Sequence, residues 1–271
     1  MGIDLKAAAD AIAISSELIK AAGDGPEAKE AARNIGKTAL TVTKAINNAL
    51  LPLAAVNFAF DKARIYFEEK FQKDITEKVA SIPSEELIEP KASVAGPALQ
   101  GLAFSHDEPN LKEMYLSLLT TAMDKRIAKE AHPAFVEIVK QITSEEAELI
   151  SDIFKSHTSH PIVELRLNSV SAKGWHVIKT HFLNDRDLDS GLPIENIGLS
   201  AMVDNLIRLG LFNVDYAKYL TGETSYKWVD ERPEMIRLRK KHENETTKIT
   251  FERGTLSMTD LGNQFAKSVG L

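Results

Sequence analysis

The sequence has no cysteine among its 271 residues. This absence excludes disulfides, thiolate nucleophiles and thiolate-bound zinc, and it is typical of a protein in a reducing compartment. The first residues carry Asp4 and Asp10 and lack a long uncharged stretch, so we expect no secretory signal. We therefore expect a cytoplasmic protein.

An excess of positive charge is also missing. The formal net charge is −6, with 44% apolar and 27% charged residues, as in soluble globular proteins. Wholesale phosphate binding depends on clustered Lys and Arg, so a nucleic-acid role would need a local basic patch.

The common catalytic motifs are absent as well. The sequence contains no G-x-x-x-x-G-K-[ST] phosphate loop, no G-x-G-x-x-G, no G-x-S-x-G elbow and no set of kinase motifs. We therefore expect a protein without enzymatic activity, with no catalytic residues, no cofactor and no metal.

No apolar run is long enough to cross a membrane. The longest uncharged run, Ala45 to Phe60, would extend about 24 Å as a helix, against a hydrocarbon core of about 30 Å, and it includes Pro52. We favour a buried bundle helix. A helix lying on the inner membrane stays open, because lysines and an arginine bracket the run. The candidate membrane contacts are Leu50, Leu51, Leu53, Val56, Phe58 and Phe60.

Helical periodicity dominates the first two thirds of the chain, and the pattern changes afterwards. A connector with three prolines follows residue 80. We predict an N-terminal amphipathic helical region (1–80), a central helical core (81–155) and a C-terminal domain (156–271).

The central region raises the question of an acid/base site. Leu111, Met114 and Leu118 begin a helical stripe, which we expect to run to His132-Pro133 because proline disfavours the α conformation before it. Glu113 and Asp124 would then lie about 16 Å apart, too far for a glycosidase carboxylate pair.

We therefore interpret the charged residues as the solvated surface and end of a helix. Asp124 and His132 would be about 12 Å apart along that helix, beyond hydrogen-bond reach. We predict structural roles for Pro97, Asp124, His132 and Pro133, with His132 as the N-cap of the next helix. Thr143 and Glu146 are predicted to form a capping box that opens the helix after it.

The last third is predicted to be a winged-helix-like α/β domain. A helix ending at Gly210 precedes three stretches that we interpret as strands (226–229, 235–241 and 246–254), and a helix capped by Thr259 closes the chain. The expected fold class is mainly α: an N-terminal and central helical bundle with this domain appended.

Two alternatives concern the polar groups of that domain. Arg237, Arg239, Lys240 and Lys241 would lie on the wing and could contact nucleic acid, but residues 201–271 are nearly neutral, with eleven Lys/Arg and ten Asp/Glu. We favour a wing that contacts protein. Four histidines are spaced closely enough to hold a metal ion, as in a hydrolase: His157, His160, His176 and His181. We favour surface histidines, because the His-Glu-x-x-His motif of a helix is missing.

Short blocks between residues 81 and 150 resemble the abortive infection alpha family of bacterial proteins. The matching blocks, in order, are Ile82-Pro83-Ser84-Glu85-Glu86, Glu89-Pro90, Ala95-Gly96-Pro97-Ala98-Leu99, Tyr115-Leu116-Ser117-Leu118-Leu119, Ala122-Met123-Asp124 and His132-Pro133-Ala134-Phe135-Val136-Glu137-Ile138-Val139-Lys140-Gln141. Lys91 stands where a second proline is expected, and Ser117 where asparagine is common.

The resemblance implies a bacterial protein that limits phage infection, and it supplies no catalytic residues. We expect it to act by contact with a protein partner or by self-association, with membrane damage by the N-terminal helices as an open addition. The alternative function is a winged-helix DNA-binding regulator.

Overall fold

The computed structural model describes residues 57–170, 174–186 and 190–271. The chain forms two compact units. One contains the described residues up to Glu148 together with Ala266–Leu271, and the other contains Leu149–Phe265. The three-region division predicted from the sequence stays a prediction, because most of region 1–80 lies outside the described residues.

The first unit is built from helices. In chain order they are α1 (Asn57–Glu69), α2 (Phe71–Val79), α3 (Ala92–Ser105), α4 (Pro109–Met123), α5 (Pro133–Val139) and the start of α6 (Ser144–Ser156), with 3-10 turns at Ser84–Glu86 and Ala128–Glu130. Helix α3 packs on α4 and α5, and α2 packs on α4. The predicted stripe of α4 is buried, and it forms the centre of this unit.

Two helix starts follow the capping chemistry of the sequence. The Thr143 hydroxyl accepts from the Glu146 backbone N–H at 3.2 Å, and the Glu146 carboxylate accepts from the Thr143 N–H at 2.8 Å. His132 Nδ1 accepts from the Ala134 N–H at 3.1 Å and so caps α5. Both predictions are confirmed.

The second unit contains a four-stranded antiparallel sheet. Its elements are β1 (His160–Ser169), β2 (Gly174–Leu183), α7 (Leu199–Arg208), β3 (Phe212–Asp215), α8 (Trp228–Glu231), α9 (Pro233–His242), β4 (Thr247–Met258) and α10 (Asp260–Ser268), which runs into the first unit. The strand order is β2-β1-β4-β3, and the sheet is curled into a half-barrel.

One face of this sheet carries the core of the unit. Strand β1 pairs along its whole length with β4, from His160 opposite Leu256 to Ser169 opposite Thr247. The core cluster consists of Val163, Leu165, Phe182, Tyr226, Trp228, Val229, Met235 and Ile249. Helix α7 packs against β2 and β3, the two outer strands.

The predicted fold class, mainly α with a winged helix, is wrong. The stretch 235–241 is part of helix α9, and 226–229 is a turn leading into α8, so no wing hairpin forms there. Alternating Ile236, Arg237 and Leu238 imitate a strand, but Pro233 suits the first position of a helix. Met235 and Leu238, three residues apart, pack on the core from one helical face.

The sequence analysis also missed strand β2. Its pairing with β1 contains register shifts between Val163 and Arg166, and the bulge breaks the period-two alternation that identifies a strand. The resulting sheet has four strands instead of a two-stranded wing. The strand predicted at 246–254 is present as part of β4, whereas β1 was not predicted as a strand.

A buried ion pair lies beside the core of the second unit. Arg232 is fully buried, and its guanidinium donates to the Asp185 carbonyl at 2.6 Å and to Glu234 Oε1 at 2.7 Å. It also lies 5.0 Å from the centre of the Phe182 ring. Arg232 Nε and Glu234 Oε2 have no hydrogen-bond partner in the structure, so the pair is incompletely satisfied.

Arg232→Ala is expected to lower the free energy of unfolding by about 3–5 kcal/mol, because Glu234 would be left buried without its counter-charge. Replacing both residues with leucine is expected to cost less than this single change. Urea unfolding measures both, and Arg237→Ala, at an exposed ion pair, is the matched control. If Arg232→Ala is no less stable than Arg237→Ala, the buried ion pair does not stabilise the fold as described.

Candidate functional site

The family-like segment around Asp124 forms a tight corner. Helix α4 ends at Met123, not at His132 as predicted, because Asp124 adopts an extended conformation and forms a β-bridge with Leu87. The Ile88 N–H donates to the Met123 carbonyl at 2.9 Å, and the Lys125 N–H donates to the Glu86 carbonyl at 2.8 Å. Residues 86–88 and 123–125 are therefore held together by backbone hydrogen bonds.

The Asp124 carboxylate is buried, which also corrects its assignment to a solvated helix end. It accepts from the Arg126 guanidinium at 2.8 and 2.5 Å and from the Arg126 N–H at 3.0 Å. These hydrogen bonds lower the pKa of Asp124 although burial opposes the shift. An aspartate bonded to a backbone N–H two residues on favours a turn over helix continuation.

The other predicted motif residues have separate partners. Pro97 lies within α3, and Pro133 is the first residue of α5. His132 caps α5 and packs its ring 5.9 Å from that of Phe135. Apart from the His132 cap, the structural roles of these residues stay predictions.

Asp124→Asn is expected to lower the free energy of unfolding at neutral pH by about 2 kcal/mol, the scale of a hydrogen bond to a charged group. The folded-state pKa of Asp124 is lowered, so its contribution exists above the unfolded-state pKa and is lost as the pH falls through the folded one. The two proteins should therefore converge in stability in acid. Thermal melts between pH 7 and pH 2 test this, with Asp107→Asn, at an exposed aspartate, as control; a gap that persists at pH 2 would refute it.

The predicted basic residues lie on helix α9, not on a wing. Arg237 forms an ion pair with Glu195, and Arg239 contacts Asp230 at 2.6 Å. Lys240 and Lys241 are exposed. Carboxylates already neutralise the two arginines, so a phosphate would first have to displace those carboxylates.

Most of the candidate membrane contacts lie outside the described residues. Leu50, Leu51, Leu53 and Val56 lie outside the described residues, and Phe58 and Phe60 lie in α1 at positions whose side chains are not described. Within the described part of the chain, no helix combines the length and the apolar content needed to cross a bilayer.

Ser156 and His160 approach each other like a nucleophile and its base. Ser156 Oγ lies 2.5 Å from His160 Nε2, but the hydroxyl donates to the Ile153 carbonyl at 2.8 Å. Its single proton is therefore in use, and His160 must be the donor to Ser156. This is the reverse of the polarity that activates a serine. The pair closes the C-terminal end of α6.

The structure joins three polar side chains that the sequence analysis did not connect. Asp204 Oδ1 lies 3.1 Å from His181 Nε2, and His181 Nδ1 lies 3.1 Å from the Tyr216 hydroxyl, which also accepts from the His181 N–H. We call this the His181 cluster. It connects α7, β2 and the residue after β3. The backbone of His181 has φ +49°, which is uncommon for a residue with a side chain.

The hydrogen bonds of the His181 cluster define its protonation. They are all satisfied when Nε2–H donates to Asp204 and the Tyr216 hydroxyl donates to Nδ1. Burial lowers the pKa of His181 and raises that of Tyr216 to about 12, so imidazole and phenol are both neutral at pH 7. Gly254 makes room for the tyrosine, since a Cβ there would lie 2.6 Å from its ring. The cluster therefore joins the ends of the two outer strands, β2 and β3, to helix α7 through hydrogen bonds.

Metal binding was the other role considered for the histidines. In the residues that the structure describes, no three His, Asp or Glu side chains are grouped to hold an ion. His157 and His176 are exposed, whereas His160 and His181 are half-buried.

The first unit contains an open groove of about 590 Å³ between α3, α4 and α5. Its apolar surface comes from Phe104, Leu111, Tyr115, Val139 and Ile142, and its polar rim from Gln100, Ser105, Glu108, Lys140 and Thr143. A Cβ at Gly101 would lie 2.3 Å from the Tyr115 hydroxyl, so glycine permits the tyrosine to pack on α3. Phe104 is 55% exposed at the edge.

Sequence reasoning missed both the groove and the His181 cluster. The groove depends on how three helices pack, and the cluster joins residues 181, 204 and 216 through tertiary contacts. A usable signal was present only for Gly101, because a glycine inside a helical pattern often marks a close approach.

The comparisons with known proteins agree with the resemblance seen in the sequence. No curated protein and no solved structure matches the chain. The model of the family described as abortive infection alpha matches residues 63–269, most of the chain and both units. The chain therefore belongs to the abortive infection alpha family.

Proposed function

We propose that this protein limits phage infection through a protein contact made at the groove of the first unit. Family membership supports the defence role. The observation that carries the contact is the exposed Phe104 beside a groove that combines apolar and polar side chains, as protein interfaces do.

The groove suits an apolar side chain presented by a partner's helix or loop. Its volume lies within the range of binding pockets, so it can take one or two large side chains. Phe104 extends the apolar surface beyond the groove, which favours a partner larger than a free metabolite. At the rim, Lys140 provides a positive charge and Glu108 a negative charge, which can contact polar groups of the partner around the inserted side chain.

Phe104→Glu is expected to abolish protection, raising plaque counts at least about tenfold over the wild type, because an aromatic hot spot contributes roughly 2 kcal/mol or more to binding. The assay is a phage challenge of cells carrying the gene, at equal protein levels. Ile65→Glu is the matched control, since Ile65 is 46% exposed on α1 and does not line the groove.

The outcomes separate the two parts of the proposal. If the wild-type gene protects against no phage in a broad panel, the defence role fails. If the gene protects and Phe104→Glu protects as well as Ile65→Glu, the defence role stands and the groove is not the contact.

Membrane damage is a second candidate action, supported by the uncharged run from Ala45 to Phe60 and its flanking cations. The wild-type protein should then float with anionic phospholipid vesicles and release a trapped dye. Exchanging Leu50, Leu51 and Leu53 for glutamate should abolish both effects. Failure of the wild-type protein to bind vesicles, alone or with lysate from infected cells, would remove this candidate.

A further inference from the structure

Strand β2 is an outer strand of the sheet, and its two halves differ in cover. No described strand pairs with its outer side. Toward its end, the Ser200 hydroxyl donates to the Thr180 carbonyl at 2.8 Å, and the Tyr216 hydroxyl accepts from the His181 N–H at 3.1 Å. The first half, 174–178, has exposed residues at 174–177.

This half lacks the features that protect most edge strands. Natural edges are shortened, covered or marked by charged residues and prolines, because unpaired N–H and C=O groups recruit other strands. The opposite edge follows this rule, since β3 has only four residues. Residues 174–178 read Gly-Trp-His-Val-Ile, with no Lys, Arg, Asp, Glu or Pro.

Two large apolar side chains stand on one face of this half. Trp175 is 50% exposed and Val177 is 42% exposed. Their partners on β1 are Asn168 and Arg166, and the Arg166 guanidinium lies 4.0 Å from the centre of the indole ring. Arg166 therefore holds the indole in place and leaves half of its surface in water.

We propose that two copies of this chain associate through residues 174–178, paired as antiparallel strands about a two-fold axis at His176. The axis is perpendicular to the sheet and keeps each side chain on its own face, so opposite residues must differ by an even number. An axis at His176 sets Trp175 of each copy against Val177 of the other. Aromatic and β-branched residues form favourable cross-strand pairs.

A second copy fits this edge better than an unrelated strand. Residues 174–178 contain no Lys, Arg, Asp or Glu, so no fixed like charges oppose each other within the paired segment. The pairing covers both exposed side chains in both copies and extends the four strands to eight. An interface of one strand pair and four side chains is small and should be weak. We therefore expect a dissociation constant of roughly micromolar magnitude.

Sedimentation of the full chain over a range of concentrations tests the association. The wild-type protein should change from monomer to dimer, and Val177→Glu should raise the dissociation constant at least about tenfold, because symmetry places the new charge in the interface twice. Val170→Glu is the matched control, at a valine 61% exposed outside β2. Circular dichroism verifies that both variants are folded.

Cross-linking tests the register, and the absence of native cysteine makes it specific. His176→Cys should form a covalent dimer on mild oxidation, since opposite Cα atoms lie about 5 Å apart, within disulfide reach. Gly174→Cys is the control on the same strand, because its two copies would be about 13 Å apart. A Cβ at Gly174 meets no atom within 4 Å.

Each outcome decides the proposal. Concentration-dependent dimers that Val177→Glu weakens and His176→Cys traps support it. A monomer at all concentrations, a dimer indifferent to Val177→Glu, or equal cross-linking of both cysteine variants overturns it; capture of a foreign strand by a monomer counts against it as well. The surface is independent of the groove in the first unit, so neither result bears on the other.

Discussion

The second unit depends on the pairing of β1 with β4. These strands are separated by 77 residues in sequence, between Ser169 and Thr247, and they pair along the full length of β1. The pairing sets Val163 and Leu165 into the core and leaves β2 and β3 as the two edges. The contacts of the core offset the entropy of closing so long a loop.

The two halves of strand β2 differ in the contacts that they make. The end of β2 is joined through the His181 cluster to α7 and to the end of β3. The start of β2 is left open, with Trp175 held by Arg166. The same bulge that hid β2 from sequence analysis separates these two halves, because it changes which face the following side chains occupy. Strand β2 therefore contributes both to the His181 cluster and to the edge at residues 174–178 that no described strand pairs with.

Charged groups in this protein mostly stabilise local geometry. Asp124 and Arg126 fix the corner after α4, and Arg232 and Glu234 are buried beside Phe182. The arginines of α9 are paired with carboxylates. The two proposed contact surfaces instead rest on exposed apolar side chains, Phe104 beside the groove and Trp175 on the edge of β2.

The sequence by itself determined the local structure where one residue and its near neighbours suffice. The capping box at Thr143, the His132 cap and the buried stripe of α4 follow from spacing alone. The family was indicated by the resemblance of short sequence blocks, and the family model confirmed it. It misplaced the end of α4 and the strands near α9, because tertiary bonds at Asp124 and burial of Met235 overrode the local pattern. Only the tertiary structure decided the four-stranded sheet, the His181 cluster and the groove, since each joins residues whose separation in sequence carries no periodic signal.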